Sequence, residues 1–437
     1  MAAMVRDGKI SPAELLDAHL RQIKAVNSKI NAFVEVLGHG LEEEPGSLPP
    51  GPLHGVPVTV KDSFDVAGLP TLCGSKLRMG HRAERDAAAV ARLRAAGAVI
   101  LGKTNCPENL NNYETDNFVT GRTNNPFDPD RTAGGSSGGE AAAIAAFCSP
   151  GGIGSDGGGS IREPAHFCGI AGLKPTPGRV SAAGHTPVIA HPGGLLGVAG
   201  PMARNAADLK LLFQVLAGPD VEDPFAAPVP LRVPDLSGVK ARVWTRFDGG
   251  EIDPELLAAV DEAASLLEQI GIPTEAAEPD CIPQARELWW FFFERIYART
   301  ARALIVGREE DVHWTATDLI YRALQEPPPT VEQVVLNLAS RDEMRIRLLR
   351  TMKTHPLILT PVCSSTAFPH QAPRRGEVDV VNAMTPLTVF NLFGMPAIVI
   401  PWKVSSEGLP IGIQIAGRPY DEELLLEVAE RLEKEKS

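Results

Sequence analysis

Two glycine-rich clusters that each carry serine stand close together in this chain, Gly134-Gly135-Ser136-Ser137-Gly138-Gly139 and the stretch from Gly151 to Ser160. Glycine is needed where a backbone turns through positive φ or presents its N–H groups to an anion. Serine supplies a hydroxyl that becomes a nucleophile once a neighbouring base takes its proton. Lys61 ends the β-branched run Val56-Pro57-Val58-Thr59-Val60, so a short strand is predicted to deliver an amine at its tip. Lysine can act as that base only where burial leaves it neutral. A lone lysine is ordinarily a solvated surface charge, and only the two serine clusters turn the reading toward chemistry.

Other chemistries fit these residues less well. Glycine loops also cradle phosphates, but neither cluster ends in the Gly-Lys-Ser/Thr of a P-loop or sits in the strand-G-x-G-x-x-G-helix setting of a dinucleotide fold. Gly134 to Gly138 formally matches the G-x-S-x-G nucleophile elbow, yet it is preceded by Asn125-Pro126-Phe127-Asp128-Pro129, a loop and not a strand. An elbow enzyme also needs a later histidine, and none of His185, His191, His313, His355 or His370 is marked out by its sequence surroundings. Close backbone packing would explain one glycine cluster; it explains two, beside a strand-end lysine, less easily.

The elements that would position these groups alternate between helix and strand. Ser11-Pro12-Ala13-Glu14 is a capping box with proline at the first turn, and the spacing of Leu15, Leu16, His19, Leu20 and Ile23 predicts a helix over 11–26. A helix over 86–96, a strand over 98–101 and a small-residue helix over 140–147 follow. Prolines at 219, 224, 228, 230 and 234 mark a linker or a long surface loop. Residues 240–350 read as amphipathic helices with some strand. Strands over 397–400 and 411–415 and a helix from Asp421 to about Lys434 close the chain. This alternation is the mark of an α/β fold.

Composition narrows the partners. The 437 residues are 44% apolar with a net charge of −12, enough for a large core and without the basic footprint of a nucleic-acid binder. Six cysteines lie far apart with no C-x-x-C pair, and the opening residues do not read as a secretory leader, so reduced thiols and a cytoplasmic setting are expected. The most apolar stretch, Leu288 to Phe293, is bounded by Glu287 and Glu294 and falls short of the roughly 18 residues a membrane span needs.

The text from Arg131 through Ala143 and from Gly154 through Thr176 resembles the amidase signature family of serine hydrolases. Further agreement lies in His54-Gly55-Val56-Pro57 leading to Lys61-Asp62, in Gly102-Lys103-Thr104-Asn105, in Gly200-Pro201-Met202 and in Gly408 to Gln414. The resemblance covers essentially the whole chain. It implies one large α/β domain over 1–437, with a mixed twisted sheet flanked by helices. Within it, 60–200 would be the catalytic core, 220–350 a variable helical region shaping substrate access, and 380–437 the C-terminal strands and helix.

Residue by residue, the resemblance makes Ser160 the nucleophile, Ser136 a bridging serine held after a cis peptide, and Lys61 the base. Backbone N–H groups of Gly157, Gly158, Gly159 and Ser160 would hold the oxyanion. Leu110 and Asn111 would line the site, and Ser137, Asp156 and Arg162 would hold the two glycine loops in register. No metal or organic cofactor is implied. The chain departs from the family at Gly157, where many members carry a larger residue.

The expected substrates are small hydrophobic or aryl amides, with esters and carbamates open to the same acyl-enzyme chemistry. A homodimer is open as an assembly. The aromatic run from Leu288 to Tyr297 reads either as core or as the wall of a substrate pocket. The alternative function is the glutamine-hydrolysing subunit of a tRNA-dependent amidotransferase, against which the apolar stretch Gly193 to Pro201 stands.

Overall fold

The structure is a computed structural model and describes residues 1–38, 48–189, 195–247, 250–278 and 282–436. Among them are the strands β1 Phe33–Val36, β2 Pro57–Lys61, β3 Val99–Thr104, β4 Gly151–Asp156, β5 Ala171–Lys174, β6 Val198–Ala203, β7 Ala241–Val243, β8 Thr274–Ala276, β9 Leu357–Pro361, β10 Ala397–Val404 and β11 Pro410–Ala416. They form a single mixed sheet in the order β1-β3-β2-β4-β6-β5-β10-β11-β9-β7-β8. β2 runs parallel to both β3 and β4, whereas the joints β4–β6, β6–β5, β5–β10 and β10–β11 are antiparallel.

Both faces of this sheet are covered. Ile398 and Ile400 of β10 join a core with the helices Ala88–Ala95, Ala206–Leu216, Pro254–Gln269 and Glu422–Lys436. Val399 between them joins a second core built on helices Pro12–Ile30, Gly138–Ala145 and Arg162–Phe167. Successive strand residues point to opposite faces, so a strand buried on both must be apolar throughout. The α/β architecture with helices flanking a mixed sheet is therefore as the sequence reading expects.

Several boundaries differ, each for a physical reason. The first long helix runs to Ile30 and stops where Asn31 turns left-handed at φ 47°, a termination that asparagine tolerates. β3 continues through Gly102 and Lys103 to Thr104, because it is paired on both sides, with β1 and with β2. The second glycine cluster is only partly a loop. Its first six residues are β4, a fully buried strand held between β2 and β6, a case of sheet context overriding low strand propensity.

Within 240–350, β7 and β8 add two strands to one edge of the sheet beside the helices. The proline-rich stretch carries no helix or strand between Leu216 and Ala241, and the Arg179 side chain donates to the Val229 carbonyl within it. It is a surface loop of the same domain. Residues 60–200 do not close a core by themselves: Ala397 to Val399 of β10 pair with Gly172 to Lys174 of β5.

Cys73, Cys106, Cys148, Cys168 and Cys363 are buried and unpaired. Cys281, His191, Gly193 and Gly194 lie outside the described residues. Among the described residues, no helix is long and apolar enough to cross a membrane.

Candidate active site

Lys61 ends β2, an interior strand between β3 and β4, and its side chain is wholly buried. Its Nζ lies 2.7 Å from Ser136 Oγ, 2.9 Å from Ser137 Oγ and 3.1 Å from Ser155 Oγ. Burial disfavours the ammonium and lowers its pKa to about 8, while the thiols of Cys106 and Cys73 and the carboxyls of Asp156 and Glu140 pull weakly the other way. A neutral amine has two N–H donors and one lone pair, so three surrounding hydroxyls match its capacity. Ser137 Oγ can donate to the Ser155 carbonyl at 3.4 Å, which turns its lone pairs toward Lys61.

The two serine segments are held together by backbone. A cis peptide joins Gly135 to Ser136, and the Gly135 N–H donates to Glu163 Oε2 at 2.9 Å. Farther along the same loop, the Ser137 N–H donates to the Ser160 carbonyl at 3.1 Å. Ser137 thus links both loops and also touches Lys61.

Asp156 and Arg162 act elsewhere. The Asp156 carboxylate accepts from the N–H groups of Gly159 at 2.7 Å and Ile161 at 3.1 Å, closing the turn that carries Ser160. Arg162 grips the same carboxylate with two bonds of 3.0 Å and reaches on to Gln414 of β11 and to Asn391. This pair therefore fastens the Ser160 turn to the C-terminal part of the fold and does not tie the two serine loops to each other. Burial alone would push the Asp156 carboxyl up, but the Arg162 charge and hydrogen bonds, with Lys174 and Asn391, hold it well below the usual carboxylate range.

The Gly159 N–H is committed to Asp156, which removes it from the donors the sequence assigned to an oxyanion. The N–H groups of Gly157, Gly158 and Ser160 have no acceptor among the described residues. The carbonyls beside them are occupied: Trp289 Nε1 donates to the Gly157 carbonyl at 3.0 Å and the Tyr113 hydroxyl to that of Gly158 at 2.9 Å. In a trans peptide the C=O and the next N–H point in opposite directions. The Trp289 bond therefore aims the Gly158 N–H away from the indole.

The absence of side chains at Gly157 and Gly158 is required by the same aromatic segment. A Cβ on Gly157 would lie 2.6 Å from Phe293 Cε2, and one on Gly158 would lie 2.4 Å from Trp289 Cζ2. The two rings stack at 4.9 Å and 15°. Phe293 thus occupies the space that a larger residue at position 157 would fill.

Ser136, Ser155, Asp156, Gly157 and Ser160 share one cavity of about 440 Å³. Leu110 and Asn111 also line it, on a backbone that turns left-handed at Asn109 and Leu110. Phe292, Phe293, Ile296 and Tyr297 form an apolar wall. Trp289 and Phe293 meet the site, whereas Phe291 and Phe292 also pack into a core around Phe390 and Phe393, so the aromatic run serves both purposes. No cluster of three or more histidine, cysteine or carboxylate side chains that could hold a metal occurs among the described residues.

The amidase family model matches residues 14–426. The chain belongs to the amidase family. Amidases hydrolyse amide C–N bonds, and the relatives agree with that class. The chain is 33% identical to the indoleacetamide hydrolase of Bradyrhizobium diazoefficiens, over 99% of this chain and 85% of that protein. It is 34% identical to a glutamyl-tRNA(Gln) amidotransferase subunit of Thermus thermophilus, over 98% and 94%. Among solved structures, 6-aminohexanoate cyclic dimer hydrolase complexed with substrate matches at a TM-score of 0.88 with 32% identity, over 99% of this chain and 95% of that one. A bacterial aryl acylamidase matches at 0.86 with 25% identity, over 99% and 94%.

Four residues of this amidase's site escaped the sequence reading. Ser155 was hidden inside a glycine cluster, and its contact with Lys61 depends on β4 lying beside β2. Tyr113 carries no local signal. Trp289 was visible only as part of an aromatic run. His185 lines the cavity with its Nδ1 2.7 Å from the Pro187 carbonyl and its Nε2 without a partner, and burial lowers its pKa to about 3, so it is neutral.

Proposed function

We propose that this amidase cleaves small amides with an apolar body through a covalent acyl-enzyme on Ser160, with Ser136 and Lys61 carrying the proton. The observation that carries the reading is the buried Lys61 amine, 2.7 Å from Ser136 Oγ, in a cavity that Ser160 also lines. Ser160 Oγ attacks the carbonyl carbon while its proton passes to Ser136 Oγ and the Ser136 proton passes to the Lys61 lone pair. The oxyanion is met by the N–H groups of Gly157, Gly158 and Ser160, each such donor being worth about 3 kcal/mol in the transition state. Reversal of the relay protonates the leaving amine, and water then resolves the acyl-enzyme by the same route. The side chains and backbone of this chain supply every group these steps use.

Esters and carbamates present the same electrophilic carbon and a leaving group no worse than an amine, so they belong to the proposed range. The second reading, a glutamine-hydrolysing subunit, draws on the likeness to the Thermus protein. The apolar wall of Phe292, Phe293 and Ile296 offers nothing to a glutamine carboxylate. The test is release of p-nitroaniline from acyl anilides of graded size, with a p-nitrophenyl carbamate beside them, by wild type and Ser160→Ala. Turnover lost in the variant supports the reading. Inertness toward the whole panel, with ammonia released from glutamine when a partner protein is added, supports the amidotransferase reading instead.

A further inference from the structure

Beside Ser160 a narrow recess opens, walled by Asn111, Tyr113, Gly158, Trp289 and Glu294. It leaves the centre of a water-sized group about 10 Å³, enough for one such group and no more. Glu294 is wholly buried, and neither of its carboxyl oxygens accepts a hydrogen bond. Asn111 Nδ2, on the same recess, is likewise without an acceptor. No salt bridge reaches Glu294 among the described residues; the adjacent Arg295 turns away to Glu326 at 3.1 Å.

Such a carboxyl is costly. An unpartnered polar group in an apolar setting is destabilising, and a charged one more so. Burial accordingly raises the Glu294 pKa to about 8, with the Asn111 carboxamide near enough to ease the shift slightly but outside hydrogen-bond geometry. The residue also sits on Phe291–Arg295, a π-helical turn between the helices Ile282–Trp290 and Ile296–Ile305. Turns of that kind gather at functional sites. The same turn places Phe293 against Gly157, so one irregular element supplies both the apolar wall and the lone acid.

We propose that the Glu294 carboxyl forms a recognition site for a primary ammonium group, so that the preferred amides carry such a group on the acyl or the amine side of the scissile bond. The recess admits a head the size of water, which fits –NH3+ and excludes a guanidinium or a ring. A cation placed there pairs with the carboxylate and supplies the hydrogen bonds that both oxygens lack, while the larger apolar cavity takes the carbon chain. This inference rests on the reading of Ser160 as the amidase nucleophile.

The test compares isosteric pairs that differ only in a terminal –NH3+ or –CH3. On the acyl side these are glycyl, β-alanyl and γ-aminobutyryl p-nitroanilides against the propionyl, butyryl and pentanoyl compounds. On the amine side they are N-(aminoalkyl) benzamides against N-alkyl benzamides of equal length. Wild type should favour the ammonium member of one series by about tenfold or more in kcat/KM, carried mainly by KM, and Glu294→Gln should bring that ratio to about one. Equal rates within every pair for wild type overturn the proposal without recourse to any variant, and so does a preference that survives in a folded Glu294→Gln. Failure of both members of every pair, together with failure of a fluorophosphonate to label Ser160, overturns the amidase reading itself.

Discussion

The indole Nε1 of Trp289 donates to the carbonyl oxygen of Gly157 at 3.0 Å, bridging the helix Ile282–Trp290 to the turn that bears Ser160. The bond fixes the Gly157–Gly158 peptide plane and so directs the Gly158 N–H. Replacing Trp289 with Phe keeps a stacking ring and removes the donor. The expected result is a fall in kcat of about tenfold with KM little changed, the signature of an interaction used mainly in the transition state. Steady-state kinetics on an acyl anilide decide it; a loss confined to KM would mark Trp289 as pocket wall only.

Gly157 and Phe293 are coupled by space. A methyl at position 157 would meet the Phe293 ring at 2.6 Å, so Gly157→Ala must displace either the ring or the peptide that carries the N–H groups. We expect Gly157→Ala alone to lower kcat/KM by about tenfold, and Phe293→Leu to restore part of that loss in the double variant. A double-mutant cycle should give a coupling of about 1 kcal/mol or more. Strict additivity would show that the two positions do not interact.

In the proposed mechanism Lys61 sets the pH dependence. Its pKa is lowered from the ordinary lysine value to about 8 by burial, and only the unprotonated amine can receive the Ser136 proton. Activity should therefore rise with pH and reach half its plateau near pH 8 in kcat/KM. Lys61→Arg, which stays protonated, should fail across the whole range. A pH profile that is flat between about pH 6 and 9 would remove Lys61 from the role of base.

The Asp156–Arg162 pair supports the turn from below and is fully buried. Removing one partner strands the other charge, so Arg162→Met should cost about 3–5 kcal/mol of stability in urea unfolding. Asp156 has a folded-state pKa below its unfolded value. Its contribution is thus fully present above the unfolded carboxylate value near about 4 and lost as pH falls through and below it. Wild type should lose stability steeply in that acid range, and Asp156→Asn should lose less there while being weaker at neutral pH.

Composition and local pattern were sufficient for the α/β class, for the first helix and its capping box, for the C-terminal strands, and for a strand-end Lys61 beside two serine-bearing glycine clusters, whereas Ser136 and Ser160 in particular came from the family resemblance. Those features rest on signals a few residues long: side-chain periodicity, a cap, a β-branched run ending in lysine, two serine-bearing glycine clusters. The Ser155 contact with Lys61, between residues 94 positions apart, came only with strand pairing, because β2 and β4 are neighbours through Thr59 with Gly152 and Val60 with Ile153. So did the commitment of the Gly159 N–H to Asp156, since glycine spacing cannot say where each peptide points. The carbonyls of Gly157 and Gly158 are claimed by Trp289 and Tyr113, and the lone acid of Glu294 faces a recess beside Ser160, through packing of segments remote in sequence. Local physics chose the residue types and the elements; the direction of each hydrogen bond and the burial that changes each pKa belong to contacts that exist only once the chain is folded.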